Sequence, residues 1–467
     1  MNCLQRSVRS VILSKLIHMF YNFNMPSKDI HTNSETNSST DSWIDDLPLC
    51  RRCGIGLSTG RNHGGQQDRY AFEDRSFYCQ LDDSTHLYGI FDGHMGPRAA
   101  EFVLQRIPAE ILLGQLTERK TDEEIKEVIR QAYISVEKEY LNSLGDLLAE
   151  RTSLQCELPH GLPAYEAYQK YPEIFEKLKS INYELSSGTS ALISLVFNNK
   201  LYVANVGNSR ALLCKTDANA VLRVVQLSVD HDLRNEDELL RLLQLGITTS
   251  NLKYGSQIGN QETTRCLGNY LVKGGYKEYR ELYSAYSEPV IAEPEIHGGI
   301  HLDESCRFLL LMSAGLYKTL EEVIPANQVN KYIAQLVVEQ FRCQSTLNAV
   351  AQTVVDKAIY LYSNNSQSYS GSNSSNTSVN SVPGRREDIT LIIRNFNFML
   401  QNSSDSSSSS STSNSSSVTS TLDTHHSSTT TTSSPQYMNE TNRDIHRLKP
   451  YVDFSCYYVN IRRIQDN

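Results

Sequence analysis

The strongest constraint on the fold is a serine- and threonine-rich tract near the carboxyl end of this 467-residue chain. It begins at Asn402 as "NSSDSSSSSSTSNSSSVTST" and continues to "HHSSTTTTSSP". Such a segment has almost no apolar surface to bury and cannot offset the entropy cost of ordering, so we expect it to be disordered. The mixture of apolar runs, charges and glycines typical of a folded domain lies before it, from Trp43 to Phe398.

We therefore divide the chain into four parts. An N-terminal extension covers residues 1–41, one folded domain covers 42–399 with a polar insertion at 364–384, a disordered linker covers 400–446, and a C-terminal segment covers 447–467. Residues 1–24 are basic and lack acidic side chains. They are either a mitochondrial targeting peptide or an unstructured extension, and we favour the extension because short basic stretches often arise by chance.

Composition excludes several classes of protein. The net charge of -9 and the pI near 5.8 argue against a nucleic-acid partner, which requires a basic face. The ten cysteines show no regular spacing and no secretory signal precedes them, so we expect reduced thiols in a cytoplasmic protein. Cys50 and Cys53 have the spacing of zinc ligands, but no second pair completes the four ligands that structural zinc requires. No apolar run is long enough to span a membrane, so we expect no membrane partner.

Hydrophobic periodicity predicts both helices and strands. Apolar residues at helical spacing predict helices over 98–116, which Pro108 should kink or split, and over 122–154, with a break near Gly145. Two further helical stretches are predicted at 235–246 and 327–363. The runs "ALISLVF", "LYVANVG" and "ALLCK" predict an antiparallel meander, and "RFLLLMSAG" and "DITLIIRNF" predict later strands. Antiparallel strands separated by long helices indicate an α+β sandwich in which helices cover the sheets.

Two motifs near predicted strand ends contain the candidate catalytic and metal-binding residues. A two-metal hydrolase needs carboxylates that converge from several strand ends, and an arginine beside them can bind phosphate through two hydrogen bonds. The motifs "RYAFED" and "FDGH" supply such groups in Arg69, Glu73, Asp74 and Asp92, and Gly93 and His94 follow Asp92 directly. No glycine-rich phosphate loop of the P-loop or Rossmann kind is present, which disfavours an ordinary nucleotide enzyme.

The order of nine motifs is more specific than any one of them. They are "RYAFED", "FDGH", "SGTSA", "VGNSR", "VDHDLRNEDELLR", "TTRCLGNY", "AEPEIH", "LLLMSAG" and "EDITLII". This order resembles the metal-dependent Ser/Thr phosphatases of type 2C over nearly the whole domain. The resemblance implies a four-layer α-β-β-α sandwich. It also implies that Arg69 binds substrate phosphate, that His94 is the general acid, and that the metal centre is formed by Glu73, Asp74, Asp92 and the Gly93 carbonyl.

The chain departs from that family at the metal centre. Ala314 stands where the family has a metal-binding aspartate, and Asn208 replaces another carboxylate near the centre. Outside the centre, Asn269 replaces the usual aspartate of an "LGDY" motif. The last metal aspartate corresponds to Glu387, whose extra methylene displaces the carboxylate by about an ångström, a change that magnesium geometry tolerates poorly. We therefore expect a site that does not turn over and requires no cofactor.

These departures leave open the possibility that the remaining ligands still bind a single Mg²⁺ or Mn²⁺. Glu73, Asp92 and the Gly93 carbonyl would hold it. The alternative for Asp92 is a purely structural carboxylate that caps a turn.

The C-terminal segment "LKPYVDFSCYYVNI" predicts an amphipathic helix. Aromatic and aliphatic residues share one face, and an isolated helix of this length is marginally stable in water, so we expect it to order against a partner groove. The alternative, docking back on its own domain, is disfavoured by the long linker. The candidate partner-binding residues are Tyr451, Val452, Asp453, Phe454, Tyr457, Tyr458 and Ile461.

Within the type 2C family, this segment and stretches such as "SWIDDLPLC" and "VIAEPEIHG" resemble pseudophosphatase subunits that bind and activate the TGF-β-activated kinase, a MAP kinase kinase kinase. By this resemblance Phe454 is the main residue that anchors the C-terminal segment to the kinase, and the phosphatase-like domain is available to bind other signalling proteins. Three hypotheses follow: an inactive adaptor that activates the kinase, an active Mg/Mn-dependent Ser/Thr phosphatase with a degenerate site, and a phosphoprotein reader that uses Arg69. Ala314, Asn208 and Glu387 favour the first over the second, and the C-terminal helix favours it over the third.

Overall fold

The computed structural model describes residues 47–60, 72–113, 116–159, 164–248, 257–370, 386–398 and 400. Within these ranges eleven strands form two sheets. They are β1 (Cys53–Ser58), β2 (Arg75–Gln80), β3 (Thr85–His94), β4 (Gly188–Phe197), β5 (Lys200–Val206), β6 (Arg210–Thr216), β7 (Leu222–Gln226), β8 (Leu267–Gly268), β9 (Glu295–His301), β10 (Cys306–Met312) and β11 (Ile389–Asn395).

Helices cover the outer faces of both sheets. They are α1 (Arg98–Leu113), α2 (Asp122–Asn142), α3 (Gly145–Glu157), α4 (Ala164–Lys170), α5 (Pro172–Leu185), α6 (Glu236–Gln244), α7 (Ala314–Glu321), α8 (Ala326–Phe341) and α9 (Leu347–Ser370). None of the helices in the described ranges is both long and apolar enough to cross a bilayer.

The two antiparallel sheets stack face to face. The first has the order β1-β11-β10-β6-β7, and the second has the order β2-β3-β4-β5-β9 with β8 paired to β4. One apolar cluster lies between the sheets and includes Tyr88, Leu192 and Leu311. A second joins the first sheet to α7, α8 and α9, and a third joins the second sheet to α1 and α2. These layers confirm the predicted α-β-β-α sandwich.

The prediction of one continuous meander was wrong. β4 and β5 form the expected hairpin, closed where Phe197 lies opposite Lys200, but β6 belongs to the other sheet. The chain crosses between the sheets after Gly207, which has a φ of +100° and lies so close to Ser190 that a Cβ atom would come within 2.2 Å of its Oγ. Both strands are buried on both faces, so their apolar patterns do not reveal which sheet each one joins.

Of the two outcomes predicted at Pro108, a kink or a split, the split does not occur, because α1 continues through Pro108 to Leu113. A proline removes one helical hydrogen bond, and the burial of its neighbours Ile107, Ala109 and Ile111 offsets that loss. The predicted break near Gly145 is confirmed by the separate helices α2 and α3. The helix α9 runs to Ser370, so the first part of the predicted polar insertion is helical.

Candidate functional site

A pocket of about 240 Å³ opens where strands from both sheets end at the same edge of the sandwich. β3 of the second sheet reaches it, and so do the segments that follow β10 and precede β11 of the first sheet. The pocket is lined by Glu73, Asp74, Asp92, Gly93, His94, Met95, Ser190, Asn208, Gln257, Asn260, Gln261, Glu262, Thr263, Ala314, Lys318, Arg386, Glu387 and Asp388. The structure therefore brings together all the site residues predicted from the sequence that lie within its described ranges.

The acidic residues meet because β2 and β3 are paired. Arg75, the first residue of β2, lies opposite Phe91, so Glu73 just before β2 lies close to Asp92 at the end of β3. Gly93 makes this approach possible, since a Cβ atom there would lie 2.5 Å from the Glu73 carbonyl oxygen. The pairing of β2 with β3 therefore places Glu73, Asp74 and Asp92 at neighbouring strand ends in one pocket.

Two of these carboxyl groups are held in conditions that disfavour their charge. Burial raises the pKa of Asp74 to about 7, and the nearby carboxylates of Asp388 and Glu387 act in the same direction. The Thr390 hydroxyl donates to Asp74 Oδ2 at 2.7 Å, while Oδ1 has no hydrogen-bond partner among the described residues. Burial, followed by the charges of Asp74 and Glu387, also raises the pKa of Asp92 well above its usual range.

Asp92 accepts a hydrogen bond from the residue that stands in place of the expected metal ligand. Ala314 is the first residue of α7, and its backbone N–H donates to Asp92 Oδ2 at 2.8 Å. The first N–H groups of a helix have no partner within the helix, so Asp92 satisfies one of them. This contact agrees with the structural alternative for Asp92, in which the carboxylate caps a backbone turn.

Lys318 enters the pocket one helical turn after Ala314. Its Nζ donates to Glu387 Oε1 at 2.7 Å and to Glu262 Oε2 at 2.7 Å. Burial disfavours the ammonium, but the charges of Glu387 and Glu262 outweigh it and raise the pKa of Lys318. Sequence reasoning missed this residue, although its spacing of four from Ala314 places both on one helix face.

The residues present do not fit a pair of metal ions. Within the described part of the chain, no group of three His, Cys, Asp or Glu side chains is arranged to hold a metal. Ala314 offers a methyl group where an oxygen ligand is expected, and the Lys318 ammonium already neutralises Glu387. A cation next to that ammonium would meet like-charge repulsion.

Asp388, the residue after Glu387, has a structural role. Its Oδ1 accepts from the Gly60 N–H and its Oδ2 accepts from the Glu73 N–H, both at 2.7 Å. Glu73 in turn accepts from the Gly96 N–H at 2.9 Å through Oε1. This chain of contacts fixes the three segments that carry the acidic residues.

His94 lies at the end of β3, with its ring against Gly188, where a Cβ atom would come within 2.5 Å of the His94 Nε2. That nitrogen has no hydrogen-bond partner within the described ranges. Burial lowers the pKa of His94 to about 4, so its imidazole is neutral at pH 7.

The two asparagines that replace family aspartates behave differently. Asn208 lines the pocket, with Oδ1 3.5 Å from the Ser190 hydroxyl, and its carbonyl oxygen accepts from the Tyr317 hydroxyl at 3.0 Å. Asn269 is fully buried and donates to Gln261 Oε1 at 2.7 Å and to Asn260 Oδ1 at 2.9 Å. It therefore supports the loop that carries part of the pocket wall.

Arg69 and the seven candidate partner-binding residues, Tyr451 to Ile461, lie outside the described residues. Their roles stay predictions. The candidate site described by the structure is thus the acidic pocket with its inserted lysine.

Comparison with known proteins identifies the family. The family model described as "Protein phosphatase 2C" matches residues 57–366. A relative from Paramecium tetraurelia, "Probable protein phosphatase 2C 4", is 27% identical over 62% of this chain and 82% of its own length. A relative from Caenorhabditis elegans, "TGF-beta-activated kinase 1 and MAP3K7-binding protein 1", is 26% identical over 68% of this chain and 75% of its own.

Among solved structures, a serine-threonine phosphatase 2C from Toxoplasma gondii has a TM-score of 0.45 at 14% identity, covering 74% of this chain and 96% of that one. The family assignment rests on the sequence match, which spans well over half of the 467 residues. The chain belongs to the protein phosphatase 2C family.

Proposed function

We propose that this protein is a phosphatase-fold adaptor without phosphatase activity, which binds and activates a MAP kinase kinase kinase of the TGF-β-activated type. The main support for the lack of phosphatase activity comes from α7, where Ala314 replaces a metal ligand and Lys318 pairs with Glu387. The kinase-binding part is supported by the similarity to the C. elegans protein, whose name states that it binds MAP3K7.

Loss of activity follows from the chemistry of two-metal hydrolysis. Such sites use two metal ions, which together stabilise the attacking and the leaving oxygen, and both metal ions must be correctly placed. The methyl group of Ala314 replaces one ligand, and the Lys318 ammonium that pairs with Glu387 removes a second. The adaptor therefore requires no cofactor. A single Mg²⁺ or Mn²⁺ at Glu73, Asp92 and the Gly93 carbonyl is compatible with it.

Kinase activation is assigned to the C-terminal helix. In the helix predicted from the sequence, Tyr451, Phe454, Tyr458 and Ile461 would share one apolar face, and buried aromatic anchors carry most of the binding energy at such interfaces. A helix that binds the active kinase conformation more tightly than the inactive one shifts the population toward the active form. The proposal places the protein in the cytoplasm, without nucleic-acid or membrane partners, and leaves the phosphatase-like domain free to bind other signalling proteins.

The inactive site is tested by Mn²⁺-dependent hydrolysis of a phosphopeptide by the full-length protein. The Asp92→Asn variant serves as the blank, because it removes a kept carboxylate and nearly preserves the side-chain volume. We expect no turnover above this blank. Turnover that disappears in Asp92→Asn would establish the second candidate, an active Mg/Mn-dependent phosphatase. That candidate is favoured by the retained Glu73, Asp74 and Asp92 in the pocket.

The kinase-binding helix is tested by pull-down of the kinase domain with full-length protein. Phe454→Ala should abolish capture, because it removes the central aromatic of the apolar face. Tyr437→Ala is the matched control, since Tyr437 is an aromatic residue of the linker outside that face. Circular dichroism should show an unchanged globular domain in both variants. Undiminished capture by Phe454→Ala would refute the anchor assignment.

A further inference from the structure

A pair of cysteines lies in a tight turn where the two sheets are joined. The Cys53 N–H donates to the Cys50 carbonyl oxygen at 3.1 Å, which closes a four-residue turn through Arg51 and Arg52. The ends of such a turn lie within about 7 Å, near the Cα separation of a disulfide. The pair can therefore form a bond without a large backbone movement.

The turn fastens one sheet to the other. On one side the Cys50 N–H donates to the Tyr78 carbonyl oxygen of β2 at 3.4 Å. On the other side Cys53 begins β1 and lies opposite Arg394 of β11. Arg51 and Arg52 are exposed, while Cys50 and Cys53 are 1% and 8% exposed. The sulfur atoms thus lie directly beneath a short surface turn.

A buried guanidinium distinguishes this pair from the other thiols. Arg394 is 6% exposed, and its Nε has no hydrogen-bond partner within the described residues. The neighbouring Cys53 thiol, together with the charge of Arg394, lowers the pKa of Cys50 to about 6 against the effect of burial. Burial raises the pKa of Cys53, and it raises the pKa of the nearby Cys79 to about 12. A low-pKa thiolate beside a protonated thiol is the arrangement of dithiol redox pairs.

Zinc does not account for the pair. No third His, Cys, Asp or Glu side chain joins Cys50 and Cys53 in a metal-binding group within the described residues.

We propose that Cys50 and Cys53 form a reversible redox site that hydrogen peroxide converts to a disulfide. The Cys50 thiolate attacks one peroxide oxygen, the O–O bond breaks, and hydroxide leaves, which gives a sulfenic acid. The Cys53 thiol then attacks the Cys50 sulfur, the S–O bond breaks, and water leaves with the Cys53 proton. The peroxide gains the two electrons that the two thiols lose. A dithiol reductant converts the disulfide back to two thiols by thiol–disulfide exchange. This site is independent of the acidic pocket and of the kinase-binding helix.

Peroxide titration of the reduced full-length protein tests the proposal. After each dose the reaction is quenched and the protein is denatured in acid. The remaining thiols are then labelled with a maleimide, and the peptides of a digest are identified by mass spectrometry. Cys50 and Cys53 should lose label together, as one internally linked peptide, at doses that leave Cys156 and Cys79 labelled. Dithiothreitol should restore both labels. Cys156 is an exposed comparison thiol and Cys79 a buried one. Full labelling of Cys50 and Cys53 at doses that oxidise Cys156 would overturn the proposal.

Two variants test the separate roles in this pair. Cys53→Ser removes the second thiol, so Cys50 should accumulate as a sulfenic acid that a dimedone probe captures. An unreactive Cys50 in the folded variant would contradict its assignment as the attacking thiolate. Arg394→Gln should slow oxidation of Cys50 about fivefold at pH 7, because less of the thiol is ionised, whereas Arg394→Lys should keep most of the rate. Equal rates in all three folded proteins would overturn the role of Arg394.

Discussion

Replacing Glu238 by glutamine should destabilise the fold by about 3 kcal/mol at pH 7. Glu238 lies in the first turn of α6 with a side chain only 2% exposed, and it joins that helix to the segment that carries the pocket wall. Its Oε1 accepts from Arg265 at 2.6 Å, and its Oε2 accepts from Arg241 at 2.8 Å and from the Thr264 hydroxyl at 2.6 Å. A neutral amide leaves both guanidinium groups without their carboxylate.

Two independent routes give this magnitude. Burial acts to raise the pKa of Glu238, but the hydrogen bonds from Arg265 and Arg241 outweigh it and lower the pKa from 4.5 to about 2. At 1.36 kcal/mol per pKa unit, this shift corresponds to about 3 kcal/mol. Removal of one partner from a buried ion pair costs about 3–5 kcal/mol in other proteins.

The pH dependence follows from the direction of the shift. Because the folded-state pKa of Glu238 is depressed, its contribution is fully present above the unfolded-state pKa of 4.5 and is lost as the pH falls toward 2. The difference in unfolding free energy between wild type and Glu238→Gln should therefore shrink from about 3 kcal/mol at pH 7 to about 1 kcal/mol at pH 3.

Urea denaturation at several pH values, followed by circular dichroism, measures this difference. Glu123→Gln is the matched control, because Glu123 also lies in the first turn of a helix and forms an ion pair with Lys126, three residues later. Unlike that of Glu238, its side chain is 82% exposed. The control should change the unfolding free energy by less than about 1 kcal/mol. Equal effects of the two substitutions, or a difference that does not vary with pH, would refute the reasoning.

Two further predictions concern the pocket and the core. Ala314→Asp alone should bind Mn²⁺ weakly because the Lys318 ammonium remains, whereas Ala314→Asp with Lys318→Ala should bind at least about tenfold more tightly in a calorimetric titration. Equal affinities would show that Lys318 does not oppose a metal. Phe308→Ala should lower the unfolding free energy by about 3–5 kcal/mol because Phe308 is completely buried between β10 and the helices, while Tyr360→Ala at an exposed site should have little effect. Similar losses for both would contradict the assigned core.

Much of the fold could be predicted because its signals are local. The Asn235 cap followed by acidic residues predicts the start of α6, and Asn235 indeed accepts from the Asp237 and Glu238 N–H groups. The predicted break near Gly145 and the late apolar strands depend in the same way on residues close in sequence. The order of motifs placed the chain in its family and brought Glu73, Asp74 and Asp92 to one site.

The contacts that decide how the site behaves are not local. Lys318 reaches Glu387 and Glu262, residues separated from it by 69 and 56 positions, only because α7 packs beside both segments. The same holds for Arg394 beside Cys53 and for the passage of the chain from β5 in the second sheet to β6 in the first. Local patterns predicted the longest helices, five of the eleven strands in the described ranges, and the kinds of side chain available. The packing of whole sheets and helices determines which charges meet, because it brings together residues that are distant in the chain, and no local pattern records that packing.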